Sequence, residues 1–235
     1  MLYEKAFQKG LWEAVRAEKA YAPLLSALLE DYRAVSREGP VSAVRFSEYI
    51  IYQETGSRKK YEAAYFARRK RLNTYALMAL VYPEEGEHLL QLQDTVWAIC
   101  DEYTWALPAH IAWRTGRDPG CIDLFSAETG FALSMIRHLL GDRLHEKMKE
   151  RIDWEINRRI IRPFLYRRFW WEHSNNNWAA VCAGSVGCTF MLSRPRLFSL
   201  IRPRIAFTMR RFLSGFSADG ICAEAVSYTH LRAHE

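Results

Sequence analysis

Apolar residues recur every three or four positions along most of the chain, a spacing that predicts amphipathic helices. The segment YAPLLSALLEDYRAVSR, residues 21–37, has this pattern, and SRKKYEAAYFARRKRLNTYALMALVY, residues 57–82, continues it over a longer stretch. The acidic sequence that begins at Pro83 fits a helix start, because proline tolerates the first turn and carboxylates favour the positive end of the helix dipole. We therefore expect a third helix over residues 83–103.

The second half of the chain keeps the same periodicity after RTGRDPGC, a loop rich in glycine and proline. No segment alternates apolar and polar residues for long enough to predict a strand. Consecutive helices with short loops, several of them unusually apolar, favour an all-α fold with inner and outer helices in a stacked or toroidal array. No strict repeat is visible in the sequence. The further predicted helices cover residues 123–141, 144–168, 178–192 and 194–216.

Length and composition are those of a globular protein with one sizeable core: 235 residues, of which 49% are apolar and 26% charged. No apolar run approaches the roughly 20 residues needed to span a bilayer, and charges interrupt the N-terminal segment where a signal peptide is apolar. We expect a cytoplasmic protein with no membrane partner. The five cysteines include no CxxC pair, so neither a disulfide framework nor a zinc ribbon is predicted. They should be reduced and mostly buried.

A formal net charge of +6 comes from arginine-rich segments such as RRKRLN and INRRIIRPFLYRRFWW. A basic surface favours a polyanionic partner, and charge alone does not separate nucleic acid from acidic polysaccharide. The alternative is that these arginines lie on solvated helix faces.

The segment SNNNWAAVCAGSVGC, residues 174–188, places three asparagines before a run of small residues. Asn176 or Asn177 is a natural N-cap for the following helix. One cap needs one asparagine, and an amide at the positive end of a helix also suits a carboxylate ligand. The two asparagines beyond the one that a cap needs therefore predict a binding or catalytic site. The alternative is that this segment only caps the helix and adds aromatic residues to the core. The small residues of this segment predict close helix packing and an inner position for residues 178–192. They are Ala179, Ala180, Ala183, Gly184 and Gly187.

A family resemblance rests on NNNWAAVCAGSVGCTFML and the later FLSGFSADGICAE, supported by WAICDEYTWALPAHI and IDLFSAETG. These segments resemble the heparinase II/III-like polysaccharide lyases, whose α/α-toroid carries an Asn-Asn-Trp helix start and a later F-x-x-D-G-x-x-x-E-G-x-x-Y motif. The similarity covers roughly Tyr49 to Glu224. It implies cleavage of uronate polysaccharides by β-elimination, with the toroid as one wall of a cleft and a C-terminal β-sandwich as the other.

The end of the chain departs from that motif. Alanine follows Glu224 where the family has glycine, and VSYTHLRAHE is similar to translated library-adapter sequence. We therefore expect a truncated toroid domain over residues 1–224, a non-native tail over 225–235 and no β-sandwich. On this view the chain needs the native downstream frame for turnover. Tyr228 stands where the family has its catalytic tyrosine, inside the expected tail.

Elimination requires a neutralised carboxylate, a base for the adjacent proton and an acid for the leaving oxygen. The resemblance suggests Asn176 or Asn177 for neutralisation, with His173 and Tyr228 as further catalytic candidates. His110 is an alternative histidine. For each histidine and tryptophan a structural role is the competing interpretation. The residues predicted to bind substrate are Trp105, His110, Trp171, Trp178, Arg114 and Glu224, and Arg117 and Arg168 are further basic candidates.

Two other functions stay open. An α/α-toroid also suits a glycoside hydrolase with paired carboxylates, for which Glu102, Glu128 and Glu224 are candidates. A non-catalytic helical module that binds polyanions is the third possibility. The predicted partner is an acidic polysaccharide or oligosaccharide, with no nucleic acid. We expect no metal or other cofactor in this chain, and leave open a divalent metal in the absent domain.

Overall fold

A computed structural model of the protein describes residues 3–8, 10–111, 120–218 and 220–222. Within these ranges the chain is helical and contains no extended sheet. An isolated antiparallel bridge between Phe216 and Cys222 follows the last helix. The all-α prediction is confirmed.

Helices of very different length follow one another along the chain, with short 3₁₀ turns between several of them. The longest is α5, and it is followed by the helices that carry most of the core. Their bounds are α1 Leu11–Ala17, α2 Ala22–Arg37, α3 Phe46–Tyr49, α4 Ile51–Thr55, α5 Lys59–Val81, α6 Gly86–Cys100, α7 Leu124–Leu139, α8 Glu146–Ile156, α9 Arg162–Tyr166, α10 Asn177–Ser193 and α11 Pro195–Leu213.

The predicted helices over 21–37 and 57–82 are present as α2 and α5. The third helix begins at Gly86 rather than at Pro83, because tertiary contacts hold the preceding residues in a turn. Arg143 donates a hydrogen bond to the Pro83 carbonyl at 3.1 Å, and Arg16 bonds the Glu84 carboxylate at 3.0 Å. The segment 83–85 is therefore the turn before α6 rather than its first turn.

A π-helical turn, Asn157–Ile161, joins α8 to α9 where the sequence predicts one continuous helix. Pro163 explains the turn, because proline has no N–H for the Arg159 carbonyl and its ring crowds that carbonyl. The wider turn keeps the helix continuous. It also places Arg159 inward, where its guanidinium bonds the carbonyl oxygens of Cys100 at 3.2 Å and Glu102 at 2.6 Å. These bonds anchor the segment after α6.

Neighbouring helices pack pairwise around one main core. Helix α5 packs on α2 and α6, α8 packs on α6 and α7, and α10 lies between α7 and α11. The main core contains apolar side chains from all of these helices, and a smaller cluster forms around Tyr61, Tyr65 and Leu107. Helix α10 is therefore enclosed by two helices, as its apolar sequence suggests.

The small residues of α10 do not all serve close packing. Gly184 is exposed and a methyl group there would meet nothing within 4 Å, so its predicted packing role is wrong. A Cβ at Gly187 would make only ordinary contacts of 3.8 Å with Ile205 and 3.9 Å with Phe198. A tight position in α7 is Gly130, where a Cβ would lie 2.7 Å from Ile160 of the π-helical turn and 3.6 Å from Thr189 of α10. The close approach at this glycine is therefore between α7 and the π-helical turn.

Gly130→Ala should destabilise the protein by about 1–3 kcal/mol, because the new methyl group overpacks the contact with Ile160. Gly184→Ala is the matched control in another helix interior. It should stabilise the protein by up to about 1 kcal/mol through helix propensity alone. Urea denaturation of both variants checks the pair. Equal effects of the two substitutions would contradict the packing difference.

All five cysteines lie in the described ranges, and no disulfide joins them. Burial raises the pKa of the Cys100 thiol to about 12 and raises the pKa of Cys182 further. These two thiols are therefore protonated at neutral pH and unreactive. Within the ranges described, no helix combines the length and apolar character that crossing a bilayer requires.

Candidate active site

A buried aspartate and a partly exposed histidine form a pair at the start of α7. Asp123 is the N-cap of this helix, and its Oδ1 accepts the Ser126 N–H at 2.7 Å. Its Oδ2 accepts the Leu107 N–H at 3.1 Å and lies 2.8 Å from Nδ1 of His110. Because a carboxylate oxygen accepts hydrogen bonds, this contact assigns the proton of the neutral imidazole to Nδ1 of His110. The neutral imidazole then has its lone pair on Nε2.

The surroundings of His110 leave this lone pair near a cation and aromatic rings. Nη2 of Arg58 lies 3.5 Å from Nε2. The imidazole stacks on Phe125, with ring centroids 5.8 Å apart, and meets the edge of Trp178 at 4.8 Å. Trp178 is the second residue of α10, so this contact connects the Asp–His pair with the asparagine run.

Asn176 occupies the N-cap position of α10 with an extended backbone, but its side chain makes no capping hydrogen bond. The predicted capping role of its side chain is therefore wrong. Its Oδ1 is buried and has no hydrogen-bond partner. Its backbone N–H instead donates to the Ser174 hydroxyl at 3.4 Å. Asn177 is the first helical residue and is exposed. The Oδ1 acceptor of the Asn176 amide is therefore not used by the first turn of α10.

The four tryptophans of this region divide into two classes. Trp105 and Trp171 are 1% and 0% exposed, and their indole N–H groups donate to the carbonyls of Ile99 at 2.9 Å and Ile122 at 2.8 Å. Neither presents a ring face to a sugar, because both are core residues.

Trp178 is partly buried and contacts Trp170, with ring centroids 5.0 Å apart. Trp170 is 60% exposed and extends the aromatic surface outward. Trp170 was not among the predicted binding residues, although the WW pair in the sequence could have indicated it.

His173 lies apart from the Asp–His pair in the described contacts. It is exposed, its ring meets Phe207 of α11 at 5.2 Å, and its carbonyl accepts hydrogen bonds from Arg211. Arg168 is exposed before α10. The structure therefore brings together His110, Trp178 and the asparagine run, and places His173 on another side of that run. Arg114, Arg117, Glu224 and Tyr228 lie outside the described residues.

Glu102 is a buried carboxylate between two arginines of α5. Arg69 forms a bidentate pair with it, at 2.5 and 2.7 Å, and Nε of Arg68 lies 3.0 Å from Oε1. The guanidinium of Arg69 also covers the Tyr65 ring at 3.8 Å. Burial raises the pKa of both Tyr61 and Tyr65, so these phenols are neutral.

The segment RRKRLN is accordingly not a basic surface patch. Arg71 bonds the Val35 carbonyl at 2.9 Å, and of the four basic residues it is Lys70 that is exposed, where it pairs with Asp31. The alternative interpretation, that these arginines lie on a solvated helix face, is also wrong for Arg68 and Arg71, because both are buried. In this segment, two of the four basic side chains are therefore buried.

A cavity of about 910 Å³ opens next to Glu102. Its wall includes Pro108 and Ile111, which flank His110 in the chain. The cavity and the Asp–His pair are therefore close neighbours in the fold. Among the residues described, no three His, Cys, Asp or Glu side chains converge to hold a metal ion. The absence of a cofactor stays a prediction.

Neither the models of known protein families nor the curated proteins gave a match to this chain.

Proposed function

We propose that this chain is the α/α-toroid portion of a lyase that cleaves uronate polysaccharides by β-elimination. The observation that carries the proposal is the His110–Asp123 pair, in edge contact with Trp178 at the start of the asparagine-led helix. A histidine oriented by a buried carboxylate is the arrangement expected of a general base. The pairwise helix packing and the enclosed position of α10 are consistent with a toroid.

The proposed reaction uses the lone pair on Nε2 of His110. This atom removes the proton next to the uronate carboxylate, and Asp123 stabilises the imidazolium that forms. The electron pair left by the proton forms the ring double bond, and the bond from the ring to the glycosidic oxygen breaks. That oxygen takes a proton, for which the imidazolium is the candidate donor.

Acidifying the abstracted proton requires donors to the substrate carboxylate. Arg58, whose Nη2 lies 3.5 Å from Nε2 of His110, is suited to pair with that carboxylate beside the base. Nδ2 of Asn176 is the proposed second donor, as the sequence predicts, whereas the buried Oδ1 without a partner is an acceptor and does not bind the carboxylate. Neutralising the carboxylate lowers the free energy of the enolate-like intermediate. Trp178 and Trp170 offer ring faces for adjoining sugars.

The test measures ultraviolet absorbance during incubation with a panel of uronate polysaccharides. It uses the 235-residue chain and, because residues 225–235 are proposed to be non-native, a longer version in which they are replaced by the downstream residues of the proposed parent lyase. A conjugated unsaturated uronate absorbs and supports elimination. Saturated reducing ends from either version would favour a hydrolase, and binding without cleavage would favour a polyanion-binding module. If the longer version neither cleaves nor binds these glycans, the proposal is wrong.

The hydrolase alternative has one supporting observation. Partial burial and the charge of Asp123 raise the pKa of Glu128, as a general acid requires. Glu102 is a poor second carboxylate, because its oxygens are held by Arg68 and Arg69. We therefore rank this function below elimination.

Asn176→Ala should leave the free energy of unfolding within about 0.5 kcal/mol of the parent value, because no capping bond is lost. Turnover by the longer version should fall about 100-fold if the amide neutralises the substrate carboxylate. Steady-state rates at matched folded concentration and urea denaturation separate the two effects. Stability that falls by about 1 kcal/mol with unchanged turnover would instead indicate an ordinary N-cap.

A further inference from the structure

We infer that the 910 Å³ cavity beside Glu102 binds an uncharged sugar ring, with Arg68 as its central hydrogen-bond donor. The inference deepens the proposed function, because it makes the cavity a second sugar site beside His110. Binding to the cavity is measurable without turnover.

Arg68 supplies the first line of evidence. The residue is 5% exposed and lines the cavity, yet its Nη2 is buried without a hydrogen-bond partner. Nη1 donates to the Ser42 carbonyl at 3.2 Å, and Nε lies against Glu102, so the guanidinium is firmly held. A buried donor without an acceptor is costly, and a ligand oxygen would satisfy it.

The aromatic side chains of the cavity wall supply the second line of evidence. Tyr49 contacts Tyr61 and Tyr103, with ring centroids 5.9 and 5.4 Å apart, and all three line the cavity with Trp97. Tyr103 and Trp97 are 65% and 45% exposed. Burial raises the pKa of Tyr49 and Tyr61, so their hydroxyls are neutral and can donate or accept. Aromatic faces with hydroxyls match the C–H faces and hydroxyls of a pyranose.

The charges around the cavity argue against an anionic ring. The charged wall residues are two cations, Arg45 and Arg68, and three carboxylates, Asp94, Asp101 and Glu102. Because three carboxylates outnumber two cations, the wall itself offers no surplus of positive charge to hold a carboxylate or sulfate. Arg68 thus suits a hydroxyl or carbonyl oxygen.

The position of the cavity connects it with the candidate base. Pro108 and Ile111 of its wall lie on either side of His110, within the 3₁₀ turn Pro108–His110 and directly after it. A ring in the cavity would therefore neighbour the sugar that reacts. Together these sites favour a glycan that joins uronates to uncharged sugars over a polymer made of uronates alone.

Calorimetric titration of the 235-residue chain tests the inference with three probes. Cellotetraose is uncharged, tetragalacturonate is charged on every ring, and a hyaluronan tetrasaccharide alternates the two kinds of sugar. The first and third should bind at least 10-fold more tightly than the second. Tightest binding of tetragalacturonate, or no binding of any probe, would overturn the inference.

Matched variants assign that binding to the cavity. Arg68→Lys keeps the positive charge beside Glu102 but removes Nη2, and should weaken cellotetraose binding at least 10-fold. Arg71→Lys is the same substitution at a buried arginine of the same helix, outside the cavity wall, and should leave the affinity unchanged. Tyr103→Ala at the exposed mouth is the second variant, for the case in which Arg68→Lys does not fold, and it should also weaken binding.

The outcomes separate this inference from the proposed lyase activity. Binding that depends on Arg68 or Tyr103, without an ultraviolet-absorbing product, would keep the sugar site and reject the lyase. An unsaturated product together with binding that neither substitution changes would keep the lyase and reject this site.

Discussion

Replacing His110 by alanine should lower kcat for elimination by about 100- to 10,000-fold, the range expected for a general base. The imidazole is positioned by the Asp123 carboxylate at 2.8 Å, so Nε2 is the basic atom offered to the substrate. Its loss removes the proton acceptor while the buried carboxylate keeps its bonds from Leu107 and Ser126. The fold should therefore survive. The measurement is the initial rate of ultraviolet-absorbing product, made on the 235-residue chain and on the longer version used to test the proposed function.

Added imidazole provides a control that distinguishes a catalytic base at position 110 from a purely structural histidine. Free imidazole should restore part of the His110→Ala rate if the missing group is a base. His173→Ala compares the two candidate histidines, because His173 contacts Phe207 rather than the Asp–His pair. A large rate loss in His173→Ala, with little loss in His110→Ala, would show that the base is misassigned.

Arg204→Met should destabilise the protein by about 3–5 kcal/mol, because it leaves a buried carboxylate without its cation. Glu172 is 2% exposed and forms an ion pair with this arginine. Arg204 also donates to the Phe164 and Arg167 carbonyls, the latter at 2.7 Å, and its guanidinium lies 3.8 Å from the centroid of the Phe164 ring. One side chain thus fastens α11 to the segment that precedes the asparagine run.

Arg202→Met is the matched control, since Arg202 is two residues away and lies on the exposed face of the same helix. It should change the free energy of unfolding by less than about 0.5 kcal/mol. Urea denaturation of the two variants measures both values. Equal losses would mean that removing a positive charge from α11 matters more than the buried pair.

The helices were predictable because their signal is local. A spacing of three and four residues identifies a helix without knowledge of what it packs against, and α2, α5 and α11 begin and end within three residues of the predicted bounds. The start of α6 was missed, because Arg143 and Arg16 hold Pro83 and Glu84 in a turn. Helix ends depend on such distant partners.

The candidate site was predictable only in part. His110, Trp178 and the asparagine run stand out as residue types, and the structure groups them. Asp123 was missed because a lone aspartate before an apolar helix reads as an N-cap, a role that it also has. Arg58 was missed because an arginine in a basic, helical stretch carries no signal of its own. Pairing across many residues leaves no trace in local spacing.

The sequence by itself determined that the chain is helical, where most helices lie, and which residue types could support sugar chemistry. Only the tertiary structure decided which of them meet. In the folded protein, Arg68, Arg69 and Arg71 of a basic run point inward. Asp123 pairs with His110. Trp105 and Trp171 are buried, whereas Trp170 is exposed. The physical reason is that helical periodicity acts over a few neighbouring residues. Charge pairing and burial depend on which helices pack together, and the partners are often more than 30 residues apart, as Arg69 and Glu102 are.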